Sequence, residues 1–198
     1  MIKSRRGYSY KLLQNLHHLP DNLPEPEDDG ACDHLLGLQL PDIELGVTPG
    51  TSINLSSLPN NTILFFYPMT GRPGVSLPNG WDEIPGARGC TPQACAFRDH
   101  HTELTSLGFH VFGVSTQNSS YQNEVKDRLH LPYEMISDSK LKLKKAMTLP
   151  TFAIDNREFY KRFTMVVINS RIYKTFYPVF PPNKHAENIL AWLHNEKN

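Results

Sequence analysis

The chain has 198 residues, 39% of them hydrophobic, with 20 basic against 20 acidic side chains, a length that suits one domain with a full core and an appendage. The even charge gives no argument for nucleic acid or an anionic membrane as partner, and no apolar run approaches the roughly 20 residues needed to cross a bilayer. Three cysteines are too few for a disulfide-stapled secreted scaffold, so a cytoplasmic, reducing home fits, in which a cysteine pair is catalytic rather than structural.

Residues 1–37 read as an N-terminal extension. Tyr8, Leu12, Leu13 and Leu16 sit at the spacing of one short amphipathic helix. The apolar core Leu12-Leu13-Gln14-Asn15-Leu16 is too short for a signal peptide. The segment 20–30, rich in Pro, Asp and Glu, is expected to be extended, as an arm packed on the domain or on a second subunit. Cys32 lies in this arm, as a free surface thiol or a packed one.

Residues 38–198 read as the domain. Ile43-Glu44-Leu45 and Ile53-Asn54-Leu55 flank a turn at Pro49-Gly50. Thr62-Ile63-Leu64-Phe65-Phe66-Tyr67 is a continuous apolar run ended by Pro68, as expected of a strand buried on both faces. An insertion follows over about 70–88, punctuated by Gly and Pro, with Trp81 and Ile84 as its anchors. Loops this long are uncommon in compact domains and often functional. This one reads either as surface decoration or as a lid on a site.

The stretch Gly89-Cys90-Thr91-Pro92-Gln93-Ala94-Cys95-Ala96-Phe97-Arg98-Asp99 then opens a helix. Its start falls between Gly89 and Pro92, with Thr91 as candidate N-cap and Pro92 suited to the first turn. Ala94, Phe97, Leu104 and Leu107 continue the period until Gly108. Cys90 therefore lies at the amide end of the helix, where the dipole and unpaired N–H groups favour an anion and so a reactive thiolate. Arg88 and Arg98 flank the stretch. Cys95 sits deeper and is the less activated sulfur. Five residues of continuous helix rise about 7.5 Å and turn the two side chains about 140° apart. A bond between them therefore requires the first turn to unwind.

Beyond the helix, residues 109–115 alternate as a strand. Ser119 and Gln122 have capping-box spacing ahead of a Tyr121, Val125, Leu129 stripe. His130 falls at a helix end. Tyr133 to Ile136 is a short strand, and Ser137-Asp138-Ser139 caps a basic helix over 140–147. Residues 163–168 and 172–177 form a hairpin around Asn169-Ser170-Arg171. Asn183 is a candidate cap for a last helix with Ala186, Ile189, Leu190 and Leu193 on its core face. The order is α/β with a mixed sheet.

The motif Gly-Cys-Thr-x-x-Ala-Cys-x-Phe-Arg-Asp at 89–99 resembles the active-site helix of the peroxiredoxins, in particular the bacterioferritin-comigratory or Q-type branch. The resemblance covers about Leu38 to Leu193. It implies a thioredoxin-like fold, a central mixed β-sheet flanked by helices, and no cofactor or metal. It also implies a thiol peroxidase for hydrogen peroxide and organic hydroperoxides. Cys90 would be the attacking cysteine and Cys95 the resolving one, closing a Cys90–Cys95 disulfide that thioredoxin or a similar dithiol recycles, in a monomer or homodimer. Arg162, in Arg162-Phe163-Thr164-Met165, matches the family's active-site arginine. A guanidinium there would favour the Cys90 thiolate and donate to a peroxide oxygen. Pro68 is the candidate pocket wall. The sequence departs from the family pattern Pro-x-x-x-Thr-x-x-Cys in two ways: the link before Cys90 is far longer, and Ala87 stands where the family carries the hydroxyl of Thr. Thr70 is the alternative source of that hydroxyl.

Three other readings compete. The same two cysteines would serve a thiol–disulfide switch without peroxidase turnover, although a Cys-x-x-Cys pair is missing. A zinc site from Cys32, Cys90, Cys95, His100 and His101 follows no standard bracket spacing. A non-enzymatic interaction domain would leave the reactive Cys90 unexplained.

Overall fold

The computed structural model describes residues 16–196. The helix expected around Tyr8 to Leu16 falls almost entirely outside them. In chain order the strands are β1 (Glu44–Val47), β2 (Thr51–Asn54), β3 (Asn61–Phe66), β4 (His110–Ser115), β5 (Glu134–Ser137), β6 (Thr151–Ile154), β7 (Arg157–Tyr160), β8 (Phe163–Ile168) and β9 (Arg171–Phe176). The helices are α1 (Cys90–Asp99), α2 (His101–Ser106), α3 (Ser119–Leu129), α4 (Lys142–Met147) and α5 (His185–Glu196). Seven strands form one mixed sheet in the order β2-β1-β5-β4-β3-β8-β9, and β6 and β7 make a separate hairpin. This is the thioredoxin-like α/β architecture expected from the sequence.

β3 is an interior strand, next to β4 at the middle of the sheet, rather than the central strand expected of this run. It pairs parallel with β4 and antiparallel with β8. Its side chains alternate between two cores, because successive residues of a strand point to opposite faces. Ile63 and Phe65 pack with residues of α1, α2, α3 and α5, whereas Leu64 and Phe66 pack with α4 and the arm residues Cys32 and Leu35. Phe65 stacks on Phe97 at 4.2 Å between ring centroids, which seats α1 on the sheet. On the other face Phe66 stacks on Phe163 at 4.1 Å. Cys32 is 2% exposed, and burial beside Asp28, Asp29 and Asp33 pushes its thiol up to about 12. It is the packed thiol of the two readings, and an inert one.

Several local details differ from the sequence reading. The residue before α1 is Gly89, at φ +99°, and Thr91 lies inside the helix rather than capping it. The apolar period from Ala94 to Leu107 is split at His100 into α1 and α2. α3 is capped by Asn118, whose side chain accepts from the Tyr121 N–H. Gln122 is buried and donates to Ser115 Oγ and the Ile136 carbonyl, so no capping box forms. Asn183 belongs to a 3-10 turn (Pro182–Lys184) that leads into α5, and no side-chain cap bond forms there. Asp138 does cap α4: its carboxylate accepts from the N–H groups of Lys142, Leu143 and Lys144.

The 70–88 segment is pinned down rather than loose. It contains a 3-10 turn (Trp81–Glu83), and Trp81 is 2% exposed. The indole meets Phe159 edge-on at 5.2 Å and Phe152 at 5.7 Å, with half-buried Ile84 and buried Ala87 in the same cluster. The partner is the β6–β7 hairpin, which the sequence reading did not anticipate. Its turn residues Asp155 and Asn156 both adopt positive φ, the conformation of a tight two-residue hairpin turn.

Candidate active site

The register of the sheet builds the site. Phe66 of β3 pairs with Phe163 of β8, so Tyr67 and Pro68 leave β3 beside Arg162, the residue that enters β8. The chain crosses the 70–88 insertion and returns through Gly86, Ala87, Arg88 and Gly89 to start α1 at Cys90. Phe97, stacked on β3, and the Pro182 turn hold the helix from two sides. Gly89 is required twice over. Its φ is in the left-handed region, and a β-carbon there would come within 2.4 Å of Pro182 Cγ.

Cys90 is 4% exposed and Arg162 3%. Arg162 Nη2 lies 3.2 Å from Cys90 Sγ. The same guanidinium donates to the carbonyls of Gly86 (3.2 Å), Ala87 (3.2 Å) and Arg88 (3.1 Å), and its Nη1 donates to Gln93 Oε1. One planar fork therefore ties together the loop before Cys90, the sulfur itself and the helix after it, a job that suits Arg rather than Lys. The Cys90 thiol also faces the Ala87 carbonyl at 3.6 Å. With a buried cation on the sulfur and the helix amide end beneath it, negative charge at this point is met by fixed partners rather than by water.

The other expected residues divide. Cys95 is half-buried in the middle of α1, and burial pushes its thiol up against the opposing influence of Arg98. All three cysteines are free. Pro68 is buried at the end of β3. Arg88 turns away from the sulfur to pair with Asp82 at 3.2 Å, and Arg98 bonds Asp99 and the Leu129 carbonyl. Thr70 does not swing back to replace the missing hydroxyl. Its Oγ1 and N–H both donate to Gln117 Oε1 at 3.0 Å, and its carbonyl accepts from Tyr121 and Gln117. Among the described residues no group of three His, Cys, Asp or Glu side chains gathers to hold a metal ion. No described helix is long and apolar enough to cross a membrane.

Gln93 is the site residue that the sequence reading passed over. It is fully buried, its Oε1 takes Arg162, and its Nε2 has no hydrogen-bond partner. An orphaned buried donor costs about 1–3 kcal/mol, and this one lies on the residue whose Oε1 receives Arg162. Its signal was positional: residues three apart on a helix share a face, and Gln93 is three residues after Cys90.

Residues 36–190 match the Redoxin family, and the chain belongs to that family. Within it the chain sits with the bacterioferritin-comigratory and Q-type peroxiredoxins. It is 32% identical over 132 residues to peroxiredoxin bcp1 of Schizosaccharomyces pombe, covering 65% of this chain and 60% of that one. It is 30% identical over 148 residues to the chloroplastic peroxiredoxin Q of Suaeda salsa, covering 73% and 60%. The chain thus spans about 60% of the length of these curated relatives. Among solved structures, peroxidoxin BcpB of Mycobacterium tuberculosis superimposes with a TM-score of 0.63 at 24% identity, covering 81% of this chain and 96% of that one. A cysteine-to-serine mutant of Xylella fastidiosa PrxQ gives 0.64 at 21%, covering 82% and 97%. Both likenesses concern the fold.

Proposed function

We propose that this chain is a thiol peroxidase acting on hydrogen peroxide and organic hydroperoxides. The observation that carries the reading is the 3.2 Å contact between Arg162 Nη2 and Cys90 Sγ at the start of α1, with Cys95 five residues along the same helix. Cys90, as thiolate, attacks the terminal peroxide oxygen. The S–O bond forms as the O–O bond breaks, and the departing oxygen takes up a proton to leave as water or an alcohol. Arg162 and the amides of the first turn hold the charge that develops on the oxygens, and Pro68 walls the pocket. Cys90 is left as a sulfenic acid, which condenses with the Cys95 thiol, losing water and forming a disulfide. An external dithiol, thioredoxin or a protein like it, reduces the bridge through a mixed disulfide. A reducing compartment such as the cytoplasm suits that cycle, with the chain working as a monomer or homodimer.

The test is a thiol count and peptide map of reduced protein after one equivalent of hydrogen peroxide. Rapid loss of two thiols to a Cys90–Cys95 bridge that thioredoxin reverses is the expected result. Cys90→Ser should consume no peroxide. Cys95→Ser should consume about one equivalent and stop as the sulfenic acid, because only the condensation is lost. A Cys90 that does not react would turn the reading to a thiol–disulfide switch, which Ala87, standing in place of the family's threonine, favours.

A further inference from the structure

The N-terminal arm crosses the active-site segment at its glycines. A β-carbon on Gly89 would come within 2.7 Å of Leu19 Cδ2, one on Gly86 within 3.4 Å of Pro26 Cγ, and one on Gly71 within 2.7 Å of Leu16 Cδ2. Leu19 and Pro182 therefore both pack against Gly89, in the space its β-carbon would take. The arm is fastened further along. Lys161 Nζ donates to Asp29 Oδ2 and the Tyr177 hydroxyl to Asp29 Oδ1, each at 2.5 Å. Cys32 and Leu35 then anchor it in the core. These bonds hold the Asp29 carboxyl down at about 2, so the carboxylate is charged across the physiological range.

That contact falls on the pivot that the chemistry needs. α1 is continuous from Cys90 to Asp99, and five residues of helix turn the two cysteines about 140° apart. They meet only if the first turn unwinds, which requires the backbone next to Gly89 to move, and Leu19 packs against that glycine.

We propose that the N-terminal arm is a strap on the active-site helix, with Leu19 holding the first turn of α1 wound and so setting how fast oxidised Cys90 reaches Cys95. The inference rests on the peroxidase reading and deepens it. Two reactions compete for the sulfenic acid. Condensation with the Cys95 thiol gives the disulfide and water. Attack on a second hydroperoxide gives the sulfinic acid and an alcohol or water. A strap that delays the first reaction exposes the enzyme to the second, making overoxidation a property of the arm.

The experiment compares the full chain with Leu19→Ala and with Asp29→Asn, neither of which touches the reacting atoms. Hydrogen exchange on the reduced protein needs no peroxide. In Leu19→Ala the amides of Gln93, Ala94 and Cys95, which close the first turn, should exchange about tenfold faster, with β4 unchanged. After one equivalent of hydrogen peroxide, quenched thiol counts should show the disulfide closing several-fold faster. Excess peroxide should then yield less sulfinic acid by mass. Asp29→Asn should move all three readouts the same way by less. Unchanged exchange, or faster exchange without faster closure, overturns the strap. If the wild-type chain consumes no peroxide, the peroxidase reading fails, and the exchange comparison still decides whether the arm holds the helix.

Discussion

Arg162 is the residue on which the site's geometry converges. Its contacts reach Gly86, Ala87, Arg88 and Cys90 along one segment, and then Gln93 one turn on. Its removal should therefore act on both rate and order. Arg162→Gln is expected to lower the second-order rate of peroxide consumption by about 10²–10³, the usual loss for one donor to a developing charge. Arg162→Lys should fall between, since it keeps the cation and loses the fork. Stopped-flow measurement of thiol loss at limiting peroxide checks both, and a Gln variant as fast as wild type would remove Arg162 from the chemistry. The placement of Cys90 at the start of a helix and of Cys95 five residues along it was legible from spacing and position alone. Gln93 was not singled out, because a glutamine in a helix carries no chemical signal until its neighbours are known.

At the scale of elements, the insertion and the β6–β7 hairpin stabilise each other. Neither has a core of its own: Trp81, Ile84 and Ala87 on one side meet Phe152 and Phe159 on the other. Trp81→Ala should cost this cluster about 3–5 kcal/mol, the range for deleting a large buried aromatic. The loss should be local, with limited proteolysis cutting within 70–88 while the seven-stranded sheet stays protected. Peroxide consumption should slow as well, because the carbonyls that orient Arg162 lie at the end of this loop. Equal resistance to protease in the variant would show that Trp81 does not pin it. The sequence marked Trp81 and Ile84 as anchors by their apolar character in a polar stretch. It did not identify what they anchor to, because short strands of mixed polarity such as β6 and β7 carry a weak periodic signal.

At the scale of the whole molecule, pH acts through His185, which is 2% exposed at the head of α5 and bonded to Thr164 Oγ1 at 2.8 Å. Burial, with the Arg162 cation nearby, pushes its imidazole down to about 3 from the ordinary 6.5. The folded state therefore refuses a proton that the unfolded chain accepts. The contribution of this one group is complete above pH 6.5 and is lost as pH drops from there toward 3, by at most about 1.4 kcal/mol per unit. Asp29 acts in the same direction lower down, its contribution present above pH 3.8 and lost toward 2, and small because the carboxylate is exposed. Urea midpoints at pH 7, 5 and 4 should decline in the wild type and decline less in His185→Gln. Parallel slopes in the two proteins would exclude His185 as the group responsible.

The sequence by itself determined the order of strands and helices around the main sheet, the burial of the Thr62 to Tyr67 run on both faces, and the two cysteines in the first half of one helix. Those features are local: hydrophobic period, cap residues and cysteine spacing act over a few positions. Only the tertiary structure decided that Arg162, 72 residues from Cys90, meets its sulfur, and that Thr70 is engaged by Gln117 instead. It also decided that Asn118 rather than Ser119 caps α3, that the insertion packs on an unforeseen hairpin, and that Leu19 lies on Gly89. Nearly all of these are contacts between segments far apart in the chain, set by strand register and by which buried polar groups find partners. No short stretch of sequence carries that information.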